Sequence, residues 1–184
     1  TKAIEIVKDA ERVECNLMAM PGIVDRELTD RLVKVAEERA DTLAVIDVEN
    51  DFTPTGENSD TDMTNQGNVD AAVRDMKDRK VDSSYGAAYY PWVQIQDTLT
   101  NQILWAPPSV VALGTMAYSD AARDVWFAPA GFNRGGLTAT DAGGVPVVGV
   151  NQQLTSKERD KLYEVNVNPI ASFPAEGIVV FGQK

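Results

Sequence analysis

A change of apolar period between residues 23 and 48 does most to limit the folds open to this chain. Over 23–40 the residues Val24, Leu28, Leu32, Val35 and Ala36 recur three or four positions apart, the stripe of an amphipathic helix. Asp25 and Glu27 lie in its first turn, where carboxylates face the positive end of the helix dipole. Residues 42–48 then form a short β-branched run suited to a central strand. The same pairing returns downstream. Asn68 can cap a helix over 69–80, with Val69, Ala72, Val73 and Met76 on one face, ahead of an aromatic and β-branched stretch over 85–96. Thr155 and Glu158 form a capping box that opens a helix to about Val165, ahead of strands at 170–173 and 178–181. Helices alternating with strands imply an α/β fold, a mixed sheet flanked by helices in a single domain over 1–184.

The remaining segments fill in around this frame. Residues 1–12 read as a short helix, and 13–20 as a buried strand ended by the turn pair Pro21 and Gly22. Pro91 inside the 85–96 stretch marks a sheet edge or a bulge, because proline has no N–H for a ladder. Residues 97–101 turn the chain into 102–106. Pro107, Pro108 and Ser109 start a helix through about Tyr118, and Ser119 or Asp120 can cap a second helical piece through about Trp126. Residues 131–144 form a glycine-rich loop, 145–150 a strand, and Asn168-Pro169 a break before the last two strands, which 174–177 connect. The polar stretch 49–67 carries the composition of an exposed, mobile loop.

Composition narrows the chemistry. The 184 residues contain no histidine, which removes imidazole metal ligands, the usual proton shuttle and every Ser-His-Asp or Cys-His arrangement. Cys15 is the single cysteine, so neither an internal disulfide nor a cysteine-based zinc site can form. A net charge of −11 opposes binding to nucleic acid or to an anionic membrane. The weakly polar run over 105–118 is too short to span a bilayer and is interrupted by Pro107 and Pro108.

Three constellations invite a chemical reading. Asp47, Asn50, Asp51 and Phe52, followed by Pro54 and Gly56, resemble the first motif of isochorismatase-like cysteine hydrolases, in which a strand-end aspartate assists a nucleophilic cysteine. Glu49 stands where that family prefers glutamine, and Cys15 lies upstream of the motif rather than far downstream. A nucleophilic thiol also needs an exposed, electropositive setting, unlike a buried strand. A core strand running into an acidic loop is the favoured reading. Asp47, Glu49 and Asp51 with Glu57, Asp60 and Asp62 could hold a hard cation. They lack the glycine and distal glutamate of an EF-hand loop, and a solvated acidic loop is favoured over a metal site. Gly131, Gly135 and Gly136 around Arg134 could cradle an anion, but no Gly-Lys-Ser/Thr closes the loop, so a tight turn is favoured. Trp92, Trp105 and Trp126, with Tyr89, Tyr90, Phe127 and Phe132, are expected in the core or at subunit contacts, since no basic residues interleave them as nucleic-acid stacking requires. No catalytic, cofactor-binding or metal residue is therefore assigned, and no cofactor is expected.

From about Ser83 onward a series of short motifs arrives in a fixed order. It begins with Ser84, Tyr85, Tyr89, Tyr90, Pro91, Trp92 and Val93, and continues with Pro107, Pro108 and Ser109. Asp120, Arg123, Asp124, Val125 and Trp126 follow, then Pro129, Gly131, Asn133, Arg134 and Gly135. Leu154, Thr155, Glu158, Leu162 and Tyr163, then Asn168, Pro169 and Ile170, and last Gly182, Gln183 and Lys184 complete the series. In this ordered set the chain resembles the contractile phage tail sheath family and its subtilisin-like sheath domain. Asp124 stands where many members have glycine and Phe181 where many have tryptophan. The resemblance implies a structural role, with fold similarity to subtilisin carrying no catalysis. It implies subunits in six-fold rings stacked helically around a tail tube, with baseplate and tail terminator proteins as further partners. It also implies contraction by rigid-body motion of whole subunits, in a virion tail assembled in the host bacterial cytoplasm. The family's extended terminal arm and C-terminal domain lie outside the matched span, so the chain, which opens on Thr1, is expected to be a piece of a longer subunit.

Overall fold

In a computed structural model, residues 2–49, 52, 67–97, 99–124, 126–138 and 146–184 are described. Five helices and eight strands alternate among them. The first crossover joins β1 (Leu17–Ala19) through α2 (Arg26–Arg39) to β2 (Leu43–Asp47), after a short α1 (Lys2–Val7). Asp25 caps α2, its carboxylate accepting from Leu28 N at 3.0 Å. A second crossover runs through α3 (Val69–Arg79) to β3 (Gly86–Tyr90), with Asn68 as the cap and its side chain accepting from Asp70 N at 2.9 Å. The chain then builds β4 (Val93–Gln96), β5 (Ile103–Ala106), α4 (Pro108–Ala122) and β6 (Val147–Val150) before α5 (Ser156–Glu164) returns it to β7 (Val167–Phe173) and β8 (Gly177–Val180). The capping box at Thr155 and Glu158 is formed in both directions.

The strands make a five-stranded sheet in the order β1-β2-β3-β7-β8 and a three-stranded sheet in the order β5-β4-β6. The first four strands of the larger sheet are parallel and β8 is antiparallel to β7, so the sheet is mixed as expected. Side chains alternate across it. Ala44, Ile46, Ala88, Tyr90 and Val167 pack with Leu32 and Val35 of α2, Val73 and Met76 of α3 and Leu162 of α5. Val45, Ala87, Tyr89 and Ile170 pack on the opposite side with Val111 and Ala112 of α4 and with Val93, Ala106 and Val147 of the smaller sheet. Both faces of the central strands are thus covered, which is why 42–48 carries so few polar residues.

Four expectations need correction. The strand expected at 13–20 shrinks to Leu17–Ala19 because the carbonyls of Val13 and Cys15 are taken by Arg39 rather than by a neighbouring strand. The single strand expected at 85–96 is two, in different sheets. The break falls at the cis Tyr90-Pro91 bond, where proline has no N–H to continue the first ladder. The two helical pieces expected over 107–126 are one helix ending at Ala122, since Ser119 stays helical with its hydroxyl donating to Phe127 O at 3.3 Å, and Trp126 lies beyond the helix. Asn168-Pro169, expected as a break, lies inside β7. Most of the acidic loop 49–67, residues 139–144 of the glycine-rich loop and residue 145 of the strand expected at 145–150 lie outside the described residues.

Candidate functional site

Asp47 is the most buried carboxylate at a strand end. It closes β2 where the N-terminus of α4 and the turn after β1 meet. Its Oδ1 accepts from Ser109 N at 2.9 Å, and its Oδ2 accepts from Ser109 Oγ at 2.8 Å and from Gly22 N at 2.8 Å. Burial raises its pKa above the ordinary carboxylate value, against the opposing pull of these donors. Gly22 has φ +78, a backbone conformation that glycine adopts without cost, and this turn aims its N–H at the carboxylate. Opposite Asp47 in the strand register stands Tyr89, whose phenol is pushed up to about 12 by burial and stays neutral. Asp47, Ser109 and Gly22 are thus already bonded to one another, and together they join three elements.

Cys15 does not approach this carboxylate. The register pairs Leu17 with Leu43 in parallel strands, so Cys15 lies beyond the N-terminal edge of the sheet while Asp47 sits at its C-terminal edge. Six residue steps of about 3.3 Å separate the two ends, roughly 20 Å, far beyond the reach of a nucleophile and its assisting acid. Cys15 is half-buried and packs against the helical-side core. The geometry of a cysteine hydrolase is not assembled by Asp47 and Cys15. Replacing Cys15 by Ser should therefore change thermal unfolding only modestly, by about 1 kcal/mol or less, the effect of swapping a small apolar group at a half-buried site. A loss of several kcal/mol in a denaturant titration would show that the thiol has a larger role.

The acidic residues divide as well. Asp47 is buried and Glu49 exposed, while Asp51, Glu57, Asp60 and Asp62 lie outside the described residues. Among the described residues no group of three or more acidic or cysteine side chains is placed to hold a metal ion. The glycine turn at 131–136 also has its donors turned inward. Gly131 N donates to Val180 O at 2.8 Å and Gly135 N to Gly131 O at 2.7 Å, and Val180 N donates back to Gly135 O at 2.7 Å. A Cβ on Gly135 would come within 2.3 Å of Val180 O, so glycine is required by this close approach to β8. Arg134 lies over the Phe127 ring at 4.3 Å.

The aromatics split between interior and surface. Trp92 is buried and packs, with Trp105, against Phe52 at ring separations of 5.5 and 5.0 Å. Trp126 is 75% exposed, stacked on Phe127 at 4.3 Å. Other apolar residues reach the surface on the smaller sheet: Leu99, 94% exposed, near the β4–β5 turn, and Ile103 and Leu104 on the edge strand β5. A shallow cleft of about 320 Å³ runs between Leu17 of β1 and the end of α4, lined also by Met116, Phe127 and Pro129, with Asp120 its one ionisable group. In the larger sheet the spatial order of strands follows the chain without reversal, so it has no switch point of the kind at which open α/β sheets bind small ligands. Among the described residues no helix is long and apolar enough to cross a membrane.

Comparison with known proteins gives one consistent result. The family described as phage tail sheath protein, central domain, matches residues 1–184. The tail sheath protein of Vibrio phage KVP40 is 33% identical over 91 residues, covering 48% of this chain and 12% of that protein. The tail sheath protein of Salmonella phage ViI is 27% identical over 154 residues, covering 83% of this chain and 22% of that protein. The chain thus spans less than a quarter of the length of these relatives. Two cryo-EM structures share the fold over 98% of the chain, while the match covers 41% and 42% of theirs. One is of the anti-feeding prophage baseplate, 6-fold symmetrised, with TM-score 0.63 and 20% identity; the other is of its helical sheath in the contracted state, with TM-score 0.61 and 22% identity. The ordered motifs after Ser83, the mixed sheet packed on both faces, and a family match over the whole chain place it in the phage tail sheath family, as the central domain.

Proposed function

We propose that this domain is the structural core of a contractile-tail sheath subunit that polymerises around a tail tube and contracts to drive it through a host envelope, and that it is not an enzyme. The observation that carries the reading is the family match over residues 1–184. The packing supports it. The polar groups at strand ends are bonded to backbone and to one another, as in the Asp47–Ser109–Gly22 joint, and this suits a unit that moves as a rigid body. Its partners are neighbouring sheath subunits in six-fold rings and their helical stack, the tube protein, and the baseplate and tail terminator proteins. Its place is the virion tail, assembled in the bacterial cytoplasm. The domain belongs to a longer subunit whose remaining parts supply connections between rings by strand addition.

Electron microscopy of the full-length protein tests this directly, because sheath subunits form rings or tubes. The isolated domain, carrying net charge −11, should run as a monomer or small oligomer by light scattering, since like charge opposes its self-association. Full-length protein that stays monomeric with and without tube protein would overturn the reading, as would a hydrolytic activity abolished by Cys15→Ser.

A further inference from the structure

We propose that residues 2–15 form a strap that detaches from the domain as a unit, and that Arg39 is the latch that holds it. Arg39 is the last residue of α2, and its side chain is 1% exposed. A guanidinium has five N–H donors, and each one here has a partner. Nη1 donates to the carbonyls of Val7 and of Val13, the latter at 3.0 Å, and Nη2 donates to the carbonyl of Cys15 at 3.4 Å. The remaining two donors, on Nε and Nη2, reach the two oxygens of Asp41 at 2.8 and 3.0 Å. Asp41 is held at about 2, chiefly by its hydrogen bonds from Arg39 and then Thr42, so it stays ionised and keeps the guanidinium oriented. Three carbonyls drawn from one short segment thus converge on one side chain of the helix beneath it.

Beyond Arg39, Thr42 Oγ1 donates to the Cys15 carbonyl at 3.0 Å at the far end of the strap, and little else holds it down. Ile4 is its one buried residue; Val7, Val13 and Cys15 are half-buried, and the other residues of 2–15 are exposed. Its further ties to α2 are surface ion pairs, Lys8 to Glu38 at 2.8 Å and Arg31 to Glu5. Pairs of this kind are weak and screened by salt. The strap's own backbone bonds are local, such as Arg12 N and Val13 N to Asp9 O at 3.1 Å each. No strand of either sheet is contributed by it. A segment with one buried apolar anchor and many ordered residues has little surplus over its conformational entropy, so it belongs to the low-stability end of the structure. Its release withdraws Ile4, with the flanking Val7 and Cys15, from the helical-side core and leaves the sheet and the other core in place. The inference rests on the fold alone and stands apart from the sheath reading.

Amide hydrogen exchange on the full polypeptide tests it. In the wild-type protein the α1 amides, with those of Arg12 and Val13, should exchange faster than those of β2 and β3, and faster still at high salt. Each hydrogen bond from a charged donor is worth about a factor of ten, so Arg39→Ala should raise strap exchange on the order of a hundredfold or more while the β2 and β3 amides hold their rates. Arg39→Lys keeps the charge and most of the stem, which guards against loss of folding, yet a lysine has three donors and cannot meet the five acceptor contacts. It should release the strap as well. Strap amides that exchange at the rate of the sheet in the wild type, or that keep wild-type protection in Arg39→Lys, would overturn the latch.

Discussion

Replacing Arg79 by Met is expected to destabilise the domain by roughly 3–5 kcal/mol, the usual cost of removing one partner from a buried ion pair. Arg79 and Asp75 face each other one turn apart on α3, at 3.2 Å, with side chains 1% and 2% exposed. Arg79 also donates from Nε to Asp30 at 2.9 Å and from Nη2 to Asp30 and Thr29 on α2, and Arg26 of α2 reaches Asp75 at 2.6 Å. The cluster ties α2 to α3 across the top of their shared core. Removing Arg79 leaves the Asp75 carboxylate buried, with only the half-exposed Arg26 to balance it. The double change Arg79→Met with Asp75→Leu should recover most of the loss, because it removes the buried charge along with its partner and leaves Arg26 and Asp30 to water. Urea titrations of the two single variants and the double variant give the coupling. If the single change costs under about 1 kcal/mol, or if the double change costs the sum of the two, the pair is not acting as a buried charge and its counterion.

Legibility in the sequence followed the range of the interaction. Asn68 and the Thr155–Glu158 box act within one turn of chain, so cap chemistry alone located the starts of α3 and α5, whereas Asp25, expected inside the first turn of a helix from 23, is the cap of α2, which starts at Arg26. Leu28, Leu32, Val35 and Ala36 of the 23–40 stripe likewise report burial directly, since they face one core, while Val24 lies ahead of the helix. The errors arose where a distant partner decided the outcome. The strand expected over 13–20 is shortened by Arg39, which lies some two dozen residues further on, and nothing in the local pattern announces that the carbonyls are taken. Pro91 was readable as an interruption, but not as the point where the chain changes sheets. Asp47 drew notice as part of a hydrolase-like motif. Its actual partners, Gly22 and Ser109, lie 25 and 62 residues away, and only the parallel pairing of β1 with β2 and the docking of α4 bring them together. The i, i+4 spacing of Asp75 and Arg79 was visible, whereas its burial came from α2.

Asp47→Ala is expected to cost roughly 3–5 kcal/mol, because it strands the N–H groups of Gly22 and Ser109 in the interior at about 1–3 kcal/mol each and empties the joint between β2 and α4. Asp47→Asn should cost less, about 1–2 kcal/mol, since one amide oxygen can still accept and the amide nitrogen can donate to Ser109 Oγ, leaving one backbone donor unmet. The comparison with Asn also isolates the titration of this one carboxyl. Burial raises the folded-state pKa of Asp47 above the ordinary value of 3.8, so in that window the folded protein binds more protons at this site than the unfolded chain. Its titration therefore contributes stability that is fully present below 3.8 and is lost as pH rises through the folded pKa. The surface carboxylates with lowered values, Asp41, Glu38 and Asp70, act in the opposite sense and weaken the fold in acid, but they are common to both proteins and cancel in the difference. Denaturant titrations of wild type and Asp47→Asn at a series of pH values should thus show the wild-type advantage growing as pH falls, and levelling off below the unfolded aspartate value. An advantage that is flat in pH would mean that Asp47 titrates as an ordinary carboxylate. One that shrinks toward acid would mean that the three donors outweigh burial and hold the group below 3.8.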